Sequence, residues 1–220
     1  FVSFFLPFLL FKPAADWFFY MTKTYSLTMS FVKFFFLATM GEAIAQRIKK
    51  GVYLPKNFGL LSRAFVWGLI GISIKMAFTI FATGTPYFLV VMGMKDAPEI
   101  ILQSQLSWQK VVVSFSISTA LNIMYAPVMM TFHKMTDTHI GQNKGRIAGF
   151  FRKNNVRETL ATINWRVQWD FVFKKTIPLF WIPMQTITFL LPPEFRILFA
   201  ALLGIALGVL LALASIKGKN

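Results

Sequence analysis

The sequence predicts an all-α integral membrane protein, a bundle of four to five transmembrane helices plus a basic amphipathic surface helix. Three observations carry this. Of 220 residues, 56% are hydrophobic and only 14% charged, with 26 phenylalanines and a mean hydropathy of +0.60. So much apolar surface cannot be hidden in a core of this size without covering the outside as well. Apolar stretches of roughly 20 residues also recur, the length an α-helix needs to cross a hydrocarbon core of ~30 Å. Finally, no barrel-like alternation appears, and an unpaired backbone is too costly in lipid, so each stretch reads as helix.

Taken in order, residues 1–20 read as an interfacial N-terminal segment, because Phe1–Phe11 is apolar but too short to span and is broken by Pro7 and Lys12-Pro13. The expected spans are Thr22–Gln46, Ser62–Tyr87, Val111–Phe132 and Phe195–Ile216, with a shorter one at Thr176–Leu191 closed by Pro192 and Pro193. Residues 133–169 form a basic amphipathic connector. In it Ile147, Phe150, Phe151, Leu160, Ile163 and Val167 recur near helical spacing, while Arg146, Arg152, Lys153 and Arg157 between them are placed to meet lipid headgroups. Trp165, Trp169 and Trp181 are expected near headgroup level. The chain 1–220 therefore reads as a single membrane domain without a soluble one.

The net charge of +15 must sit in short connectors, where it acts as an orientation signal and a contact for anionic lipid rather than for nucleic acid. With five spans, the connector after the first span, the long connector and the tail share one side with 16 basic residues. The other side holds five: Lys12, Lys23, Lys95, Lys110 and Arg196. This asymmetry places the basic face in the cytoplasm of a bacterium or the matrix of a mitochondrion.

Lys33 and Lys75 fall near the middle of the first and second spans, where a charge is expensive, so both should face a cavity or protein acceptors. Glu42 is the carboxylate inside a span and lies about 180° round the helix from Lys33, so these two cannot pair on their own helix. Lys33 shares a stripe with Thr22, Ser26 and Ser30, and Glu42 shares one with Thr39 and Gln46. The expected acceptors are carbonyls freed by prolines: that of Ile123 by Pro127, Lys174 by Pro178 and Leu179 by Pro183. With Asn122 and Gln185 these give the bundle a polar interior. It reads either as a narrow cation-lined pathway for anionic or neutral solutes or as a hydrogen-bonded structural core.

Ala200, Gly204, Gly208 and Ala212 repeat every four residues in the last span, a flat face for close helix contact within the bundle or for a homodimer seam. Gly68 and Gly71 do something similar in the second span. Catalytic patterns are weak. His133 and His139 read as connector residues without metal-ligand partners, Gly141–Arg146 lacks the context of a phosphate loop, and eight acidic residues offer no paired acid and base. No catalytic, metal or cofactor site is expected, and with no cysteine there is no disulfide or thiolate.

The last two hydrophobic segments are more specific. Trp181, Gln185, Phe189 and Pro193 follow at intervals of four, with Pro183 among them and Arg196 shortly after. Gly41-Glu42 with Gln46 in the first span, and Tyr125-Ala126-Pro127 after Asn122 in the third, complete an ordered set from about Tyr25 to Ser215. This pattern resembles the Mpv-seventeen family, which includes the peroxisomal membrane protein of twenty-two kDa and mitochondrial relatives. The resemblance implies a small integral protein of organelle or bacterial inner membranes, without cofactor, that forms a weakly selective channel. Two expectations follow. The first is a non-enzymatic, channel-like protein passing small solutes near Lys33, Glu42, Lys75, Asn122 and Gln185. The second is a structural accessory subunit of a larger energy-transducing inner-membrane complex, its aromatic faces packed on other subunits and its basic side on anionic lipid. Trp181, Gln185 and Phe189 should point into the bundle, with Arg196 reaching headgroups, Asp96 or Glu99.

Overall fold

The structure, a computed structural model, describes residues 11–217, with side chains through Leu213. Phe1–Leu10, half of the expected interfacial segment, lies outside the described residues. The first described helix is α1 (Lys12–Thr24), with Pro13 in its first turn, where a missing N–H costs nothing. The chain bends at Tyr25 (φ −117°, ψ 52°) into α2 (Ser26–Lys50). The expected start of the first span at Thr22 is thereby corrected: Thr22 belongs to the preceding helix. α2 stops where Gly51 turns left-handed at φ 78° and donates to the Arg47 carbonyl, while Arg47, Lys49 and Lys50 face the negative end of the helix.

α3 (Leu60–Val91) follows, then the short α4 (Ala97–Leu102). α5 (Trp108–Met124) is capped by Ser107, whose hydroxyl accepts the Lys110 N–H at 3.1 Å. It continues as α6 (Ala126–Gln142) after a bend of 44°. Pro127 sits in the first turn of α6. It has no N–H for the carbonyl of Ile123 and its ring crowds the preceding turn, which accounts for the bend. The third expected span is thus a bent pair that runs on past Phe132 to Gln142.

The expected single amphipathic helix over the connector is not formed. Lys144 (φ 55°) and Gly145 (φ 70°) turn the chain left-handed. Three short helices follow: α7 (Ile147–Phe150), α8 (Val156–Thr162) and α9 (Trp165–Val167). Asn155 and Asn164 each restart the helix by accepting a backbone N–H three residues on, which is why the helical spacing of the apolar residues does not extend into one rod. Arg146, Arg152, Lys153 and Arg157 are exposed, whereas Phe150 packs its ring against Phe65 and His139.

The chain then forms a π-helix (Gln168–Trp181), which passes into α10 (Ile182–Leu190). Pro178 lies inside the π-helix, so the carbonyl left without its N–H partner is that of Phe173, five residues back, rather than that of Lys174. Leu191 is extended (ψ 154°), and α11 (Pro193–Lys217) returns through the bundle as a separate helix. Among the described residues there is no strand. α2, α3 and α11 are each long and apolar enough to cross a membrane, and the α5–α6 pair makes a fourth if it counts as one span. The fifth expected span, Thr176–Leu191, crosses from the 14-residue π-helix into the nine-residue α10, so no single α-helix of spanning length stands there.

α2 lies against both α3 and α11. Phe34, Leu37, Ile70, Ile117, Phe189 and Ala201 belong to the buried apolar cluster that joins these helices to α5 and α10. Three glycines in α2 and α3 permit the approach. A Cβ on Gly71 would lie 2.6 Å from the Ser30 carbonyl oxygen, one on Gly68 would strike the Phe31 ring, and one on Gly41 would lie 2.9 Å from Ile205. The stripe expected to serve as a contact seam does so only at its ends: Ala200 and Ala212 are buried, whereas Gly204 and Gly208 have no neighbour among the described residues within 4 Å of such a Cβ. Gly71→Leu should therefore destabilise the protein by about 1–3 kcal/mol through overpacking. Gly204→Ala should be neutral or stabilising by up to about 1 kcal/mol through helix propensity. Equal losses in thermal unfolding in mild detergent would contradict this packing.

The Gly59 turn meets the residues that follow α6. A Cβ on Gly59 would lie 2.7 Å from the Ile140 side chain and 2.8 Å from Gly145 Cα. The connectors after α2 and after α6 therefore share one end of the bundle, as the charge asymmetry predicts.

Candidate functional site

The expected polar interior is divided into two cavities stacked along α2 and α11, which run parallel. The larger, of about 330 Å³, is bordered on α2 by residues from Phe34 to Ala45 and on α11 by residues from Ala200 to Leu211. The smaller, of about 220 Å³, is bordered on the same helices by Ser26, Ser30 and Lys33, and by Pro193, Glu194 and Ile197. Phe34, Ile74, Ile197 and Ala201 stand at the changeover, each less than a tenth exposed. Glu42, Asn122 and Gln185 border the larger cavity, while Lys33 and Lys75 border the smaller. Gly204 and Gly208 form part of the wall of the larger one, which is why none of the described residues packs on them.

Most side chains around the larger cavity are apolar, but one wall carries an ion-paired cluster. Arg63, in the first turn of α3, donates through Nη1 to Glu42 Oε2 at 2.9 Å and to Asp137 Oδ1 at 2.5 Å, and through Nε to the Phe58 carbonyl at 2.8 Å. Trp67, one helical turn on, donates from Nε1 to Glu42 Oε1 at 2.8 Å. His133 Nε2 lies 3.3 Å from the same oxygen and 3.7 Å from Asp137 Oδ1, its ring 4.2 Å from that of Trp67. The reading of His133 as a connector residue without partners is corrected: α6 extends past it, and its i,i+4 neighbour Asp137 faces the same way. That spacing was the available signal. Arg63, Trp67 and Asp137 were likewise not anticipated, because nothing in the chain marks which span they will meet.

The carboxylates, guanidinium and imidazole sum to one negative charge when the imidazole is neutral and to none when it is protonated. One ligand atom from each of Glu42, His133 and Asp137 lies within 4.8 Å of the others. A cation is nevertheless already supplied by Arg63, and Glu42 uses both oxygens on protein donors, so the geometry is that of an ion-pair network at a cavity wall. Beside it Tyr125, at the bend, shares a hydrogen bond of 2.7 Å with Ser73, tying the kink of α5–α6 to α3.

The remaining expected residues take specific places. Lys33 does not reach a carbonyl freed by a proline. Its Nζ donates to Thr22 Oγ1 at 3.0 Å and lies 4.7 Å from the centre of the Phe18 ring. In one straight helix Thr22 and Lys33 would stand ~16 Å apart along the axis, so the bend at Tyr25 makes the pair. Asn122 donates to the Ser118 carbonyl at 2.9 Å, and Ser118 Oγ donates to the Ile182 carbonyl at 2.7 Å, joining α5 to α10. Gln185 is buried and Phe189 fully so, with Trp181 half-buried on the same face, and this face points inward. The expected bond from Gln185 to a freed carbonyl is not made among the described residues, and its Oε1 is buried without a partner among them, as are Gln46 Oε1 and Trp181 Nε1. Arg196 is corrected too. It donates from Nε to the Leu191 carbonyl at 3.0 Å and from Nη2 to the Phe189 carbonyl at 3.1 Å, closing the end of α10 instead of reaching headgroups or Asp96.

The fold and these cavities define an all-helical protein with three to four helices of membrane-spanning length. Comparison with protein-family models, with curated proteins and with solved structures finds no match.

Proposed function

We propose that the protein is a non-enzymatic, channel-like integral membrane protein that passes small solutes through its bundle interior. The observation that carries this reading is the pair of cavities aligned along α2 and α11, each with polar groups in its wall and divided by a thin apolar septum at Phe34, Ile74 and Ile197. A hydrophobic constriction between polar chambers is the form a closed pathway takes, since it blocks solutes by dewetting. The motif residues Gly41, Glu42, Gln46, Asn122, Pro127, Trp181, Pro183, Gln185, Phe189, Pro193 and Arg196 favour the same reading through their resemblance to the Mpv-seventeen family. On this reading the membrane is a mitochondrial or bacterial inner membrane, with the basic face in the matrix or cytoplasm and anionic lipid bound to Arg146, Arg152, Lys153 and Arg157.

Reconstitution in planar bilayers tests it. The wild-type protein should conduct, and Lys75→Glu, placed in the smaller chamber, should move the reversal potential toward cation preference. Absence of conductance from both proteins in folded form would remove the proposal. Co-migration with a large assembly in mild detergent would then move the assignment to an accessory subunit.

A further inference from the structure

The smaller cavity holds positive charge that nothing around it neutralises. Three ammonium groups border it, from Lys23, Lys33 and Lys75, and Glu194 is the one acid among the described residues that does so. Glu194 is engaged by Lys23 at 3.3 Å. Lys33 is only 5% exposed, yet its described partners, the Thr22 hydroxyl and the Phe18 ring, carry no charge. Lys75 makes neither a hydrogen bond through its ammonium nor an ion pair among the described residues, and its surroundings leave it half-buried. Buried ammonium groups are otherwise paired, because desolvation without a counter-charge is expensive.

The backbone adds to this field. α2 begins at Ser26 and α11 at Pro193, both helices are 25 residues long, and the first residue of each borders the cavity. The positive end of α11 therefore faces the same space as the lysines, while that of α2 is offset by the last turn of α1, whose Thr22 and Lys23 border the cavity too. The unbalanced charge amounts to two, and the volume of about 220 Å³ is more than a halide fills. A phosphate group, with close to two negative charges near neutral pH and three or more acceptor oxygens, matches both.

We propose that this cavity is an anion site that takes a phosphate group between Lys33 and Lys75, with Lys23 at its rim. The phosphate belongs either to a free anion or to the headgroup of a lipid entering from the side. The site does not rest on solute passage: phosphate held without conductance would remove passage alone, and conductance without phosphate binding would remove the site alone.

The test uses the full chain in an uncharged detergent and phosphate-free buffer. Equilibrium dialysis against radiolabelled inorganic phosphate reads the free anion, and retention of phosphatidic acid from mixed phosphatidylcholine vesicles reads the lipid source. One saturable site per chain is expected in at least one arm, weakened about tenfold or more by Lys33→Met and by Lys75→Gln as each removes a charge-assisted bond. Lys75→Gln, at a half-buried position, serves if Lys33→Met does not fold. Lys95→Gln, exposed in the turn before α4 and away from the cavity lining, should change nothing. Saturation by inorganic phosphate supports a free anion, and retention of phosphatidic acid alone supports the headgroup. No binding in either arm overturns the site, as does binding that survives Lys75→Gln or is lost in Lys95→Gln.

Discussion

Replacing Arg63 with methionine is expected to remove about 3–5 kcal/mol of stability, the cost of leaving buried charge without its partner. The guanidinium bonds Glu42, Asp137 and the Phe58 carbonyl together, so its loss leaves two carboxylates and a carbonyl with only the His133 imidazole beside them. At these positions the side chains are only 17–24% exposed, and water reaches them poorly. Arg63→Lys should recover part of the loss, because a single ammonium lacks the planar fork that meets several acceptors at once. Combining Arg63→Met with Glu42→Gln and Asp137→Asn should recover more, since no net charge is then buried. The midpoint of unfolding in mild detergent reads all three. A stable Arg63→Met protein would show that the cluster is hydrated and contributes little.

Phe189→Ala should cost nearly as much, toward the low end of the ~3–5 kcal/mol seen for buried aromatic truncations. Phe189 is fully buried, packs against Phe78 with ring centres 5.0 Å apart and planes tilted by 46°, and carries the Arg196 guanidinium 5.5 Å from its own. In lipid the transfer part of that cost fades, because a hydrocarbon surrounding is as apolar as the core, and the lost packing contacts remain. Phe189→Leu should therefore retain more than half of the stability lost in Phe189→Ala, as read by thermal unfolding in detergent. An unchanged midpoint for Phe189→Ala would mean that the α10 face does not hold the bundle.

Much of the helix pattern was legible because long apolar runs have few alternatives. α3 and α11 follow the expected Ser62–Tyr87 and Phe195–Ile216 with only a few residues added at their ends. Pro127, read only as freeing the Ile123 carbonyl, stands where the third span bends. Other features depend on which surfaces meet, and one chain read alone does not carry that information. The Gly204–Gly208 stripe is equally suited to a helix seam and to a cavity wall, and only the position of its neighbours decides. Lys33 finds Thr22 because the chain bends at Tyr25, where neither glycine nor proline signals a break. His133 and Asp137 were hidden by the fall in hydropathy after Phe132, which makes the polar end of a bent helix look like a connector. The grouping of Glu42, Asn122 and Gln185 around one cavity, and of Lys33 and Lys75 around another, follows from spans packing side by side. Their polarity indicated that they needed partners, but not how they would be shared.

The π-helix at Gln168–Trp181 bears on how the chain tolerates insertions and deletions. Each hydrogen bond there spans five residues rather than four, and Thr176 Oγ1 likewise reaches back five to the Phe171 carbonyl. Such a rod holds slack. Losing one residue within it tightens a turn toward α geometry and leaves Ile182 in register with Ser118. The same loss in α2 would swing every later side chain by about 100° and pull Gly41 off Ile205. Change in length during descent is therefore expected to collect between Gln168 and Trp181, while α2 and α11 diverge by substitution alone.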